Sequence, residues 1–297
     1  MQSGWVAGRI RERYPGTVVE LVTIRTKGDI LQDVALAQIG GKGIFIKEIE
    51  EALIQGEVDL AIHSMKDVPA ELPEPLEIAV MPLRDDPRDV LVSREGLKLE
   101  EMPRGARIGT GSLRRGVQIR NRAPGLEIVP LRGNLDTRIR KLDTEGLDGV
   151  ILAAAGIRRM GWAAKISQFL PVEVLLPAVG QGALGIETRR GDSRSRDAAA
   201  FLHDPVTFCE VGAERSFLKR LGGGCLLPIA GFAKKNGGEI VLEGLVGSLD
   251  GRTIIRRRVR GPAVKFAALG EGLAERILAE GGRKLLDDMY GEAVSES

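Results

Sequence analysis

RIGTGSLRRGVQIR, residues 107–120, runs from an apolar strand through a Thr-Gly-Ser turn into a helix whose first turn carries Arg114 and Arg115. Strand, short turn and helix in this order form the repeating unit of an α/β sheet, and ligands of such sheets bind beyond the carboxyl ends of the strands. Arginines at a helix N-terminus oppose the helix dipole, so folding alone disfavours them there; an anionic ligand reverses that penalty. Thr110, Gly111 and Ser112 stand where amides and hydroxyls can meet such an anion.

The alternation extends on both sides. TVVELVTI (17–24), DLAIHS (59–64), EIAVMP (77–82), DVLVS (89–93), EIVPLR (127–132) and GVILAAA (149–155) have strand character, and GKGIFIKEIEEALIQGE (41–57) has helical periodicity. Together they predict parallel α/β sheets. MPLRDDPRD (81–89), with two prolines and five charges, interrupts the pattern as a crossing between domains, and LPAVGQGALGIETRRGD (176–192) makes a second break. Helices are expected at 193–203 and 206–221. Beyond them IAGFAKK, EIVLEGLVGS and TIIRRRVRG are joined by the turns NGG and LDG, which make adjacent antiparallel strands. A helical run from Ala263 to about Tyr290 closes a small α+β domain. A chain of 297 residues has room for two or three such domains.

Composition narrows the function. No apolar run approaches the ~20 residues of a membrane span, and MQSGWVAGRIRER is neither a signal peptide nor a basic tail, so the chain reads as soluble and cytoplasmic. Two cysteines and two histidines supply neither a zinc site nor a disulfide framework, and no metal is expected. The net charge is only +2, yet Arg104 to Arg140 holds nine arginines, no lysine, and only Glu127 and Asp136 as acids. Arginine suits planar anions held by paired hydrogen bonds. Arg132 ends a strand and Arg138 rides the next helix, while Arg158 and Arg159 follow another strand, so three strand ends deliver guanidinium groups to one rim. A polyanion, either carboxylates or phosphates, is the ligand this predicts. Nucleic acid ranks low because aromatics for base stacking are scarce.

DLAIHSMKDVP (59–69) ends its strand with His63, Ser64, Lys66 and Asp67, and Asp67 is the acid placed for proton transfer. His63 reads as a core or supporting residue. IGGKGIF (39–45) lacks the spacing of a P-loop. Cys209 falls in an apolar helical stripe and reads as core. Cys225, in RLGGGCLLPI (220–229), sits behind three glycines that let the backbone approach another surface; a special thiol and a buried structural one are both compatible with that setting.

Taken in order, HSMKDVP, GTGSLRR, LRGNLDTR, AGIRRMG, PAVGQGALGIE and GGGCLLP resemble the porphobilinogen deaminase (hydroxymethylbilane synthase) family over nearly the whole chain. The resemblance implies an α/β fold of two type II periplasmic-binding-protein-like domains with the active cleft between them, plus a C-terminal α+β domain with a three-stranded antiparallel sheet. Domain 1 would take residues 1–82 and 183–200, domain 2 residues 88–176 and domain 3 residues 205–297. It implies a transferase that joins four porphobilinogen molecules head to tail with loss of ammonia and then releases hydroxymethylbilane by hydrolysis. The chain grows on a dipyrromethane cofactor, tied by a thioether to the cysteine that corresponds to Cys225. Asp67 corresponds to the catalytic aspartate. Arg114, Arg115, Arg132, Arg138 and Arg159 correspond to binders of cofactor or substrate carboxylates, assisted by Ser64, Lys66, Thr110, Ser112 and Gln181. A monomer is expected, with neither nucleic acid nor membrane as partner. The family also carries a first strand and loop of pattern RxSxLA ahead of the point corresponding to Met1, so the first sheet is expected to lack that strand. The rival from another class is a two-lobed cytoplasmic receptor for an anionic metabolite, which gives no reason for Asp67 or Cys225.

Overall fold

A computed structural model of the chain describes residues 1–24, 26, 46–224 and 227–295. Three sheets organise these residues. The first contains β1 (Ala61–Ser64), β2 (Leu76–Val80) and β8 (Leu184–Arg189) in the order β1-β8-β2. The second contains β3 (Asp89–Ser93), β4 (Arg107–Gly109), β5 (Glu127–Val129), β6 (Gly149–Ala153) and β7 (Gln168–Leu170) in the order β5-β4-β6-β3-β7. The third is an antiparallel meander of β9 (Ile229–Asn236), β10 (Glu239–Gly247) and β11 (Ile254–Pro262).

Strand β3 shows how the sequence builds a two-faced sheet. Its residues point alternately to opposite sides. Val90 and Val92 join Val150 and Leu152 in one cluster, while Leu91 joins Ile108, Ile151 and Leu170 in the other. Helices α3 (Leu113–Arg122), α4 (Leu135–Thr144) and α5 (Ala154–Arg159) follow β4, β5 and β6 in turn. Helix α4 is capped by the Asn134 side chain, which accepts from the Thr137 amide at 2.9 Å.

The purely parallel reading needs correction. β4 pairs in parallel with β5 and β6, but β3 runs antiparallel to β6 and β7, and β8 runs antiparallel to β1 and β2. The exceptions have one cause: β3 and β8 each follow a crossing from the other sheet and enter against their neighbours. The crossings, at 81–88 and 171–183, are bonded to each other through the Asp85 amide and the Gly182 carbonyl at 3.1 Å. A second correction concerns residues 17–24, which form no strand; Val18, Leu21 and Val22 are exposed. β-Branched composition supplies propensity, but a strand exists only with a ladder partner, and no described strand pairs with this segment. The glycine loop 39–45 lies outside the described residues.

The third sheet is covered by α7 (Pro205–Arg220) and α8 (Phe266–Ile277), around Phe217, Ile240, Leu242 and Leu273. The expected single closing helix is broken before α9 (Arg283–Ser295) because Gly281 takes a left-handed φ of 108°. One buried carboxylate ties this unit to both crossings. Glu214 of α7 accepts from Arg84 Nη1 at 2.6 Å, from the Gly180 amide at 2.7 Å and from the Ala233 amide at 2.8 Å. Among the described residues no helix is long and apolar enough to cross a membrane.

The first sheet is packed by α1 (Gln2–Arg13) and α6 (Ser193–Ala199), through Val6, Ile10 and Ala199 against Ile186 and Val80. Near α2 (Lys47–Gln55), a polar cluster lies within this unit: His63 Nε2 meets Glu187 Oε2 at 2.9 Å, and Glu50 of α2 is buried with its Oε1 unpartnered. Burial first, and then the Glu187 charge, push the Glu50 carboxyl up to about 7, against the opposing effect of His63. A carboxyl raised on folding stabilises the fold below the unfolded value near 4.5 and loses that contribution as pH climbs toward about 7. Glu50→Gln, which mimics the protonated form, should therefore be nearly neutral at pH 5 and stabilising by about 1–3 kcal/mol at pH 8. Urea unfolding at the two pH values checks this, and equal effects at both would refute it.

Candidate active site

Strand β1 delivers the first functional group. Its last residue, Ser64, leads into a 3₁₀ turn, Met65–Asp67, in which Met65 is buried and Asp67 is exposed. The turn is held by glycine. At Gly180, which has a φ of 72°, an added Cβ would come within 2.7 Å of the Met65 Cβ, so the second crossing passes directly against the Met65 backbone. Lys66 and Asp67 are thereby fixed at the mouth of a cavity between the first two sheets.

The opposite wall comes from the opening segment. Gly111 passes so close to the loop after β5 that a Cβ would stand 2.3 Å from the Leu131 carbonyl oxygen. Thr110 Oγ1 accepts from the Ser112 amide at 3.3 Å, which shapes the turn. Ser112 occupies the N-cap position of α3 without using its hydroxyl as a cap. Arg114 and Arg115 are then turned inward, at 4% and 5% exposure, which eliminates a solvated helix face as the reason for them.

The cavity, about 200 Å³, is lined by Lys66, Asp67, Gly111, Ser112, Arg114, Arg115, Arg138 and Gln181, together with Ala178, Val179, Leu218, Gly224, Leu227 and Ile229. Among the described residues four cations thus face one acid. A larger cavity of about 430 Å³ behind the first crossing sets Arg84, Arg88, Arg158 and Lys234 against Asp85, Asp86, Asp204 and Glu210, an even balance. Excess positive charge marks the smaller one as the place for a polyanion. Withdrawal from water lowers the pKa of Lys66, with Asp67 opposing, and it lowers that of Arg138, reinforced by the like charge of Arg115. Both shifts mark cations withdrawn from water, where a further anion would be welcome. One donor makes the same point geometrically: Arg114 Nε is buried and has no hydrogen-bond partner.

Seven of the sequence-predicted residues therefore meet in one place: Asp67, Lys66, Ser112, Arg114, Arg115, Arg138 and Gln181. Ser64, Thr110, Arg132 and Arg159 stand outside its lining; Thr110 is buried, and burial lowers the pKa of Arg159 against the pull of Asp85. Cys225 lies outside the described residues, but Gly224 before it and Leu227 after it both line the cavity. Cys209 is a free thiol, half-buried at the margin of α7 and not in its core, because Val211, Ala213 and Phe217 form the buried face of that helix. His63 is buried and bonded to Glu187, in keeping with a supporting role.

Sequence reading missed Asp89. It opens β3, is fully buried, and accepts from Arg114 Nη1 at 2.7 Å, from Arg115 Nη2 at 2.7 Å and from Gln181 Nε2 at 3.0 Å. The two arginines hold its carboxyl well below the usual carboxylate range despite its burial. A signal existed: an acid opening a strand whose next three residues are Val, Leu and Val must find a buried cation, and the adjacent arginines of α3 were the surplus ones. Gln181 is 1% exposed and spends its amide on the Pro87 carbonyl, at 2.6 Å, as well as on Asp89.

Comparison with known proteins gives a consistent result. Residues 1–197 match the family model described as porphobilinogen deaminase, dipyromethane cofactor binding domain, and residues 208–279 match porphobilinogen deaminase, C-terminal domain. The chain is 58% identical over 288 residues to a porphobilinogen deaminase of Syntrophus aciditrophicus, covering 97% of this chain and 94% of that one. It is 50% identical to one of Geobacter metallireducens, covering 99% and 92%. Among solved structures it is remotely similar to a probable amino-acid ABC transporter extracellular-binding protein of Bacillus subtilis, at TM-score 0.38 and 12% identity, over 68% of this chain and 78% of that one.

Proposed function

The chain belongs to the porphobilinogen deaminase family, and we propose that it performs the family's reaction in the cavity that joins Asp67 to Lys66, Arg114, Arg115 and Arg138. It is a transferase that condenses four porphobilinogen molecules head to tail, with loss of one ammonia each, on a covalently bound dipyrromethane, and water then releases hydroxymethylbilane. The observation that carries the assignment of the site is the excess of cations around one acid. A chain of rings bearing carboxylates needs such a wall, and the orphaned Arg114 Nε has room in its hydrogen-bonding for an acceptor.

When bound, the dipyrromethane supplies the pyrrole carbon to which the incoming ring is joined. The residues would divide the remaining work. Asp67 gives a proton to the departing amine and then faces the positive charge left on the ring. Arg114, Arg115, Arg138 and Lys66 bind carboxylates of cofactor or substrate, as would Arg132 and Arg159 beyond the lining, with Ser64, Thr110, Ser112 and Gln181 assisting. Cys225 holds the thioether, and the presence of Gly224 and Leu227 in the cavity lining supports that role.

We take the domain limits to be 1–82 with 183–200, 88–176, and 205–297, the third carrying Cys225; the division of the strands into three sheets supports this. The same reading takes the enzyme to work as a monomer on a small-molecule substrate, with neither nucleic acid nor membrane as partner. Incubation with porphobilinogen tests the reading. One ammonia should appear per porphobilinogen consumed, with a bilane that cyclises to a porphyrin; saturable binding without ammonia would establish the receptor alternative instead.

A further inference from the structure

We propose that Asp89 is a positioning residue that decides which edge of each cleft arginine faces the occupant. The inference rests on the reading of Arg114 and Arg115 as carboxylate binders. A guanidinium presents two paired edges, Nε with Nη2 along its side and Nη1 with Nη2 at its end, and a carboxylate can take either. In Arg115 the side edge is consumed, because Nε at 3.0 Å and Nη2 at 2.7 Å both donate to Asp89 Oδ1, while Nη1 donates to the Ile151 carbonyl at 3.1 Å. In Arg114 the opposite holds. Nη1 spends itself at 2.7 Å on Asp89 Oδ2 and at 2.7 Å on the Leu176 carbonyl, which leaves Nε without a partner and Nη2 with one long contact, 3.5 Å, to Gln181 Oε1.

One carboxylate therefore sorts two adjacent arginines into different receivers. Arg114 keeps its side edge open, and Arg115 keeps only its outer end-on hydrogens. Without Asp89 the two guanidinium groups would carry unopposed like charges side by side and would separate. The location of Asp89 also matters. It is the first residue of β3 after one crossing, and Gln181 of the other crossing bridges it to the Pro87 carbonyl. The orientation of the arginines is thus tied to the join between the two sheets and not to α3 alone.

The test uses the full-length holoenzyme and compares Asp89→Asn, Arg114→Gln and the double variant for kcat, KM for porphobilinogen and thermal midpoint. Arginine–carboxylate contacts act on ground-state binding, so Asp89→Asn should raise KM roughly tenfold or more with a smaller change in kcat. Because Asp89 acts through Arg114, the double variant should raise KM by less than the product of the single effects. A lowered midpoint with KM unchanged in the folded fraction, or fully multiplicative effects, overturns the proposal. If Arg114→Gln itself leaves KM unchanged, the carboxylate-binding reading fails instead. Should Asp89→Asn not fold, Asp89→Glu keeps the charge and displaces the carboxylate by one methylene; a raised KM there supports positioning, and an unchanged KM overturns it.

Discussion

Asp67→Asn is expected to lower kcat by about 10²- to 10⁴-fold, the usual contribution of a positioned proton donor, while KM for porphobilinogen moves far less. The separation follows from the geometry. Among the described residues Asp67 is the one acid in the cavity lining, so no other described carboxyl there can take over proton transfer, whereas ground-state binding rests on Lys66, Arg114, Arg115 and Arg138, which the substitution leaves in place. Asparagine keeps the size and a hydrogen-bonding oxygen, and Asp67 is exposed, so the fold should be undisturbed and the thermal midpoint should match the parent protein. Steady-state ammonia release under saturating porphobilinogen measures the effect. A kcat within about threefold of the parent would remove Asp67 from the chemistry. A second comparison, Asp67→Glu, separates charge from placement: the turn is clamped by Gly180 against Met65, so a longer acid cannot be accommodated by backbone movement. It should recover only part of the loss.

Much of this arrangement was legible in the sequence, for reasons that also explain what was not. DVLVS, GVILAAA and DLAIHS were readable as strands because their apolar residues are buried on both faces or pinned by neighbours on one. TVVELVTI has the same composition and forms no strand, since composition carries no information about whether a ladder partner is available. The arginines were readable as a functional cluster because they violate the dipole preference of α3. Their hydrogen-bonding was not, because Asp89 lies 25 residues away from Arg114 and belongs to a segment that reads locally as a charged crossing. A count of charges within a window assigns Arg114 and Arg115 two free positive charges. In the fold one is cancelled by Asp89, and the remainder is directed. The same limit hid His63 and Glu187, 124 residues apart, and the Glu214 junction with Arg84, 130 residues apart. Pairings of this range depend on sheet topology, which alternation alone does not specify.

Cys225→Ser is expected to yield protein whose intact mass lacks the two-pyrrole adduct and whose turnover of porphobilinogen is lost. A thioether requires a sulfur, and serine offers a poorer nucleophile of nearly the same size. The loss of activity should be severe because the tether keeps the lengthening chain in the cavity from one addition to the next, and the cation wall alone cannot replace that covalent hold. Four cations can hold a short polycarboxylate, but they hold it reversibly, and a lengthening chain would dissociate between additions. Cys209 provides the control. It is the free thiol among the described residues, half-buried on α7 and absent from the cavity lining, so Cys209→Ser should retain both adduct and turnover. An adduct that persists in Cys225→Ser and disappears in Cys209→Ser would move the attachment to the third unit's helix. It would also leave the approach of Gly224 and Leu227 to the arginines without a function. An adduct lost in Cys225→Ser alone, with porphobilinogen still bound weakly and no ammonia released, is the result expected if the thioether is at Cys225.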